Sequence, residues 1–342
     1  MTLLIKLAKT FLPSPNLQMD TTLGYQNTVR YCKKLLKLRE WEKLENKLDS
    51  VSNSELSLLI DHLVSSQSPE DVILLEKWYD ARPREVYPAV VRANYFISWA
   101  WDARGTALAE SVNQKQWVLF FERLNESIEM IDKAIELNPN HFYAYTKLLV
   151  LGMAHPNIDI DEAISAMNQV NRHNFTAQKA IIYSLTERWG GDKGTALDYA
   201  YAFCNDEEEG STFHALIAYA HIESWMDILE EALKARHYFL NEKVINDIFI
   251  AYEQVFPNEE FRDDIDSIEA LNIFAFCFYL AKRKELVGKI LLYLNGRSGE
   301  FPWHYSDYSS LWFIDVNYTY SAIHKDVGIS KLAKKSKRYR RK

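Results

Sequence analysis

The sequence predicts an all-α chain, a solenoid of stacked antiparallel helical hairpins. Three observations carry that expectation. Apolar residues recur at threes and fours along nearly every segment, the period of one helix face. Glycine and proline are scarce, eleven and nine in 342 residues, and strand-and-turn architectures need turn residues at about every ten positions. Small residues recur at intervals close to the length of one helical hairpin, where paired helices must approach closely.

Taken from the N-terminus, residues 1–27 read as a short amphipathic lead-in. "MTLLIKLAKTFLPSP" starts like a signal peptide, but Lys6 and Lys9 interrupt the apolar run before it reaches the length of an h-region. In "VRYCKKLLKLREWEKLENKLDSV", Val29, Cys32, Leu35, Leu36, Leu38, Trp41, Leu44 and Leu48 mark a helix, a break near Arg39, and a second helix. "SNSELSLLIDHLVSS" opens on a serine–asparagine cap, and "SPEDVILLEKWYDARP" places serine, proline and two acids ahead of its apolar stripe; both are helix starts.

"FERLNESIEMIDKAIELNPNHFYAYTKLLVLG" gives the clearest repeat signal. Ser127, Ile131, Ala134 and Ile135 precede a turn at Asn138-Pro139-Asn140, after which Tyr145 and Leu148 open a new helix. This is the second-helix pattern of a tetratricopeptide-like hairpin. Ser127, Ala163, Ala196 and Ile228 follow one another at 36, 33 and 32 residues, bracketing a repeat of about 34. "CNDEEEGSTF" and "FPNEEFRDDIDSIE" read as polar breaks between hairpins. "LNGRSGEFPWHYSDYSS" closes the stack, and "LWFIDVNYTYSAIH" supplies a last helix that caps the core. The resulting organisation is a lead-in (1–27), a tetratricopeptide-like domain (28–240), a C-terminal helical extension or cap (241–330) and a basic tail (331–342).

Charge and cysteine usage bound the partners. The formal net charge is -7, yet the last twelve residues carry eight Lys or Arg and no acid, which leaves 32 basic and 47 acidic residues, about -15, on the rest. Such a body repels nucleic acid and anionic lipid, whereas the tail alone attracts both. Cys32, Cys204 and Cys277 are odd in number and far apart, which fits a reducing, cytoplasmic setting rather than a disulfide framework.

Catalytic and metal-binding patterns are missing from the sequence: there is no HExxH, GxSxG, Walker lysine or GxGxxG after a strand. "WGGDKGTA" has the glycines of a phosphate loop but not its lysine spacing, and reads as a turn between helices. His214 and His221 stand two helical turns apart, about 10.5 Å, too far for one metal ion. "NIDIDEA" starts like a calcium loop but lacks its glycine and closing glutamate. In "YFISWAWDARGTA", residues 95–107, Trp99 and Trp101 point to nearly opposite sides of a helix. The stretch reads as a helix apolar most of the way round, with Trp99 in the core and Gly105 ending it.

"ARP" at 81–83, "RANYFISWAWDARG" at 92–105, "VNQKQWVLFFERL" at 112–124, "AIELNPNHFYAY" at 134–145 and "ERWGGDKGTALDYA" at 187–200 together resemble a bacterial family, domain of unknown function 4034, over roughly residues 30–240. Asp102, inside the Ala-Trp-x-Ala-Arg-Gly run, departs from the family pattern. The resemblance implies a tetratricopeptide-like fold, supplies no catalytic residues, and implies that Trp101, Arg104, Trp117, Arg188 and Trp189 act together. A guanidinium stacked on an indole, worth about 0.5–2 kcal/mol, either stiffens the joint between hairpins or lines a concave pocket.

The function expected is non-enzymatic: a concave helical face that takes a protein or peptide, with Tyr95, Trp101, Arg104, Trp117, Arg188 and Trp189 as candidate contacts. The acidic body suits a basic partner, such as a toxin held by its immunity protein; an adaptor in a secretion locus is the other form of this expectation. No cofactor, metal or membrane insertion is expected. The alternatives are a helical-scaffold enzyme using His141, His214 or His221, and nucleic-acid contact through the tail.

Overall fold

The computed structural model describes residues 18–64, 69–105, 111–229, 231–305 and 316–328. Among these the structure is all-α, with no strand beyond one isolated bridge between Asp20 and Arg297. The chain divides into two compact units, one of residues Tyr25–Tyr199 and one of Met1–Gly24 with Ala200–Lys342. The division thus lies at Tyr199, ahead of the 240 boundary expected from periodicity. Residues 1–17 of the lead-in, Leu311–Asp315 of the last expected helix and the basic tail lie outside the described residues.

The 25–199 unit begins with α1 (Gln26–Leu38) and α2 (Trp41–Asp49). The expected break is at Arg39, whose φ of 59° lets the amides of Arg39 and Glu40 return to the carbonyls of Leu36 and Leu35. Helix α3 (Asn53–Leu63) starts where expected, with the Ser52 side chain accepting from the Glu55 amide at 3.2 Å. Helix α4 (Pro69–Ala81) follows. Glu45 on α2 is buried but fully engaged: Trp78 Nε1 donates to it at 3.0 Å and Arg82 Nη2 at 2.6 Å. A buried carboxylate is tolerable only with partners of this kind.

The hairpin of α5 (Val86–Arg104) and α6 (Gln114–Leu137) is the most extensive helix pair of this unit. Its close approach rests on a small residue, as expected: Ser127 is fully buried and its hydroxyl donates to the Ala93 carbonyl at 3.0 Å. Asn113 and Gln116 form a capping box at the start of α6, and Gln116 Nε2 also donates to the Ala103 and Arg104 carbonyls at 3.2 and 3.1 Å. One side chain therefore closes both ends of the connection. Gly105 ends α5 with a φ of 72°.

After the Asn138-Pro139-Asn140 turn come α7 (Phe142–Gly152), α8 (Ile160–Asn171) and α9 (Phe175–Ser184). Asp61 on α3 links three helices, accepting from Asn94 Nδ2 of α5 at 3.0 Å and from the Tyr143 hydroxyl of α7 at 2.6 Å, with Lys147 Nζ at 3.3 Å. A single core runs from Val29 to Ile181.

Trp99 does not lie in that core. It is 37% exposed, and the Arg123 guanidinium of α6 sits 3.6 Å above its ring and donates to its backbone carbonyl. On a helix this apolar, the face turned to α6 is marked by Ala93 and Ala100, both fully buried. Trp99, one residue before Ala100, falls on the flank.

The 200–342 unit contains α10 (Thr195–Cys204, shared across the division), α11 (Ala215–Asp227), α12 (Ala232–Tyr238), α13 (Glu242–Val255), α14 (Ile265–Leu280), α15 (Lys284–Leu294) and α16 (Val316–Val327). Helix α14 is the centre, with Phe274, Phe276 and Phe278 fully buried. Its Asn272 is buried with every polar atom used: Nδ2 donates to the Ile268 and Arg297 carbonyls, and Oδ1 accepts from Ser298 and Trp303. Tyr320 and Ile323 of α16 are buried, and the Tyr320 ring meets Trp303 at 5.2 Å. The repeat spacing fails here in one respect. Ile228 is not within a helix but in the break between α11 and α12.

Candidate functional site

Four of the six sequence-derived candidates come together at the connected end of the α5–α6 hairpin. The Arg104 guanidinium lies 5.4 Å from the Trp101 ring centre and 5.5 Å from that of Trp117, so the expected stacking of guanidinium on indole is present, twice. Trp101 meets Phe120 edge-on at 5.0 Å and Trp189 at 6.0 Å. Arg188 is adjacent but stacks on Tyr183, at 5.4 Å, and Tyr183 in turn contacts Trp189 at 5.9 Å. Tyr95 stands apart from this cluster. It is buried against Phe96 and Trp99, where desolvation raises the pKa of its phenol.

Beside the cluster is an open depression of about 720 Å³. One wall is the turn from Gly152 to Asp161, and the other is formed by Ser184, Leu185, Trp189, Gly190 and Gly191. Local sequence explains both walls. Asp159 caps α8, accepting from the amides of Asp161 and Glu162 at 2.9 and 3.0 Å. His155 accepts at Nδ1 from the Asn157 amide at 3.3 Å. Gly190 has a φ of 93°, and a Cβ on Gly191 would stand 2.1 Å from the Leu185 carbonyl oxygen. The "WGGDKG" stretch is thus a turn between helices that demands glycine because two backbone segments touch.

The aromatic cluster reaches both walls. From Trp117, the Phe121 ring, stacked at 5.7 Å, leads to His155 edge-on at 6.0 Å. From Phe120, Trp101 leads to Trp189. Trp189 borders the depression, whereas Trp101, Arg104 and Trp117 do not. These three residues stand behind the lining rather than on it, and ring contacts connect them to Trp189 on one wall and His155 on the other.

Sequence reasoning missed His155, Asp159 and Asp161. Their signal was the "HPNIDID" turn, weighed only as a calcium loop. The charged residues on the lining are Asp159 and Asp161, both acidic.

The three histidines of the enzyme alternative are elsewhere. His141 is buried with neither ring nitrogen bonded to another described residue, His214 Nε2 bonds the Glu208 carbonyl at 3.1 Å, and His221 Nδ1 bonds the Tyr238 hydroxyl at 2.9 Å. Burial holds His221 down to about 4 despite Asp247 nearby. Among the described residues no group of three or more His, Cys, Asp or Glu is placed to hold a metal ion, and no helix is long and apolar enough to cross a membrane.

Helical hairpins locked by an aromatic–arginine joint, with a depression at their end, define the class of this protein. Residues 30–155, less than half of the chain, match the family model described as Domain of unknown function (DUF4034). The matched residues include the joint residues Trp101, Arg104 and Trp117, whereas Arg188 and Trp189 lie beyond them, so the match is shorter than the expected 30–240. No curated protein and no solved structure matches the chain.

Proposed function

We propose that this is a cytoplasmic, non-enzymatic binding protein whose 25–199 unit receives a basic segment of a protein partner in the depression between the Gly152–Asp161 and Ser184–Gly191 walls. One observation carries the reading. An aromatic cluster contacts both walls of the depression, and its charged lining is wholly acidic. A preformed site loses little entropy on binding, and paired carboxylates favour a lysine or arginine side chain. An acidic body extends the attraction to a basic partner at longer range. The narrowest form of this reading is an immunity protein holding one basic toxin; a secretion adaptor is the broader one. The three cysteines are free and buried, in keeping with a reducing compartment.

Asp161 is exposed and its carboxylate has no capping role, so Asp161→Lys is the informative change. Parallel affinity capture with wild type and this variant should recover a basic protein in stoichiometric amount from the first and lose it from the second, with the melting temperature unchanged. Recovery of the same proteins by both, or of none by either, rejects the depression as the docking site.

A further inference from the structure

The 200–342 unit has a depression of its own, of about 770 Å³, with the opposite charge preference. Phe249 of α13 and Leu286 and Leu292 of α15 give it apolar surface, and Lys282, Arg283, Lys284 and Lys289 supply four cations against Glu259 and Glu285. The floor is firm, since Phe249 packs on the fully buried Phe278 at 4.8 Å. Two of the cations are occupied: Lys284 Nζ pairs with Asp326 at 2.7 Å, and Lys289 pairs with Glu259. Lys282 and Arg283 are exposed and have no side-chain partner among the described residues.

A run of three cations on a chain of net charge -7 is out of keeping with its surroundings. We infer that this depression is a second docking site, one that takes an acidic peptide segment carrying at least one large apolar side chain. Apolar floor and cationic rim match those two features separately: burial of the side chain provides affinity, and the rim selects by charge and register. A nucleic acid fits less well. A polyanion longer than the rim extends over a body of about -15 and is repelled, whereas a short acidic segment stays within one Debye length of Lys282 and Arg283. The half-buried Phe249 also offers no stacking platform for bases.

The test is selection of a displayed library of short random peptides on the full chain, followed by fluorescence anisotropy of the enriched peptides. Enriched sequences should combine Asp or Glu with Leu, Phe or Trp. They should bind about tenfold or more weakly to the Lys282→Glu/Arg283→Glu variant, and more weakly in high salt. Both positions are exposed, and an unchanged melting temperature separates lost contact from lost fold; Lys282→Gln/Arg283→Gln should fall between the two. The proposal is overturned if the enriched peptides lack acids, if no peptide is enriched, if charge reversal leaves binding intact, or if only a single-stranded oligonucleotide or anionic vesicles show the charge-dependent binding. Asp161→Lys leaves this site untouched, so its failure and the failure of the first reading are separable.

Discussion

His141, at the start of α7, should make the 25–199 unit lose stability in mild acid. Its ring lies between Tyr87, edge-on at 5.5 Å, and Phe142, stacked at 6.2 Å, and no other described residue hydrogen-bonds either nitrogen. Burial lowers its pKa from 6.5 to about 4, and a hydrogen bond with its own backbone and then nearby Asp49 offset only part of that. The folded form therefore holds the ring neutral while the unfolded chain takes up a proton below about pH 6.5, so stability present at neutral pH is lost as the pH falls toward 4. For these two values the loss between about pH 7 and pH 5 is about 2 kcal/mol, and it approaches about 3 kcal/mol at pH 4. His141→Phe keeps a flat aromatic ring and removes the titration. The assay is hydrogen exchange of α7 peptides by mass spectrometry at the two pH values, read as an opening free energy and compared between wild type and variant. Wild type should lose about 2 kcal/mol more than the variant on acidification. Equal losses in both proteins would refute a buried, neutral His141, because every other titrating group is common to the two.

Two further predictions address the hairpin and the depression. Ser127→Leu pushes a branched side chain into the contact where the hydroxyl now meets the Ala93 carbonyl; it should cost about 1–3 kcal/mol by urea unfolding, while Ser127→Ala costs about 1 kcal/mol. A cost below that of Ser127→Ala would mean that α5 and α6 do not approach closely there. Gly191→Ala drives a Cβ to within 2.1 Å of the Leu185 carbonyl, so the wall must shift. Basic-partner binding should weaken about tenfold or more, with far-UV circular dichroism unchanged; unaltered affinity places the docking site elsewhere.

Legibility from sequence followed the distance over which the determining interactions act. The Arg39 break, the Ser52 cap and the Gly105 stop rest on interactions spanning five residues or fewer, and a single chain displays them directly. Ser127 was legible one level further, because close helix packing excludes large side chains whatever the partner is. The side on which Trp99 falls was not legible. Helix α5 is apolar nearly all round, so its orientation is settled by α6 and by Arg123, 24 positions away along the chain. The failure at Ile228 has the same origin: spacing alone does not show that the chain leaves the helix after Asp227 and re-enters at Ala232. The candidate site sits at the far end of this scale. Trp101, Arg104, Trp117 and Trp189 are recognisable as a set, yet their role as the support of a depression depends on Phe121 reaching His155 and on Gly191 lying against Leu185. Support residues are conspicuous in composition because they are large and aromatic. The residues that would touch a partner are an unremarkable turn, Pro156 to Asp161, whose significance comes only from what stands opposite it.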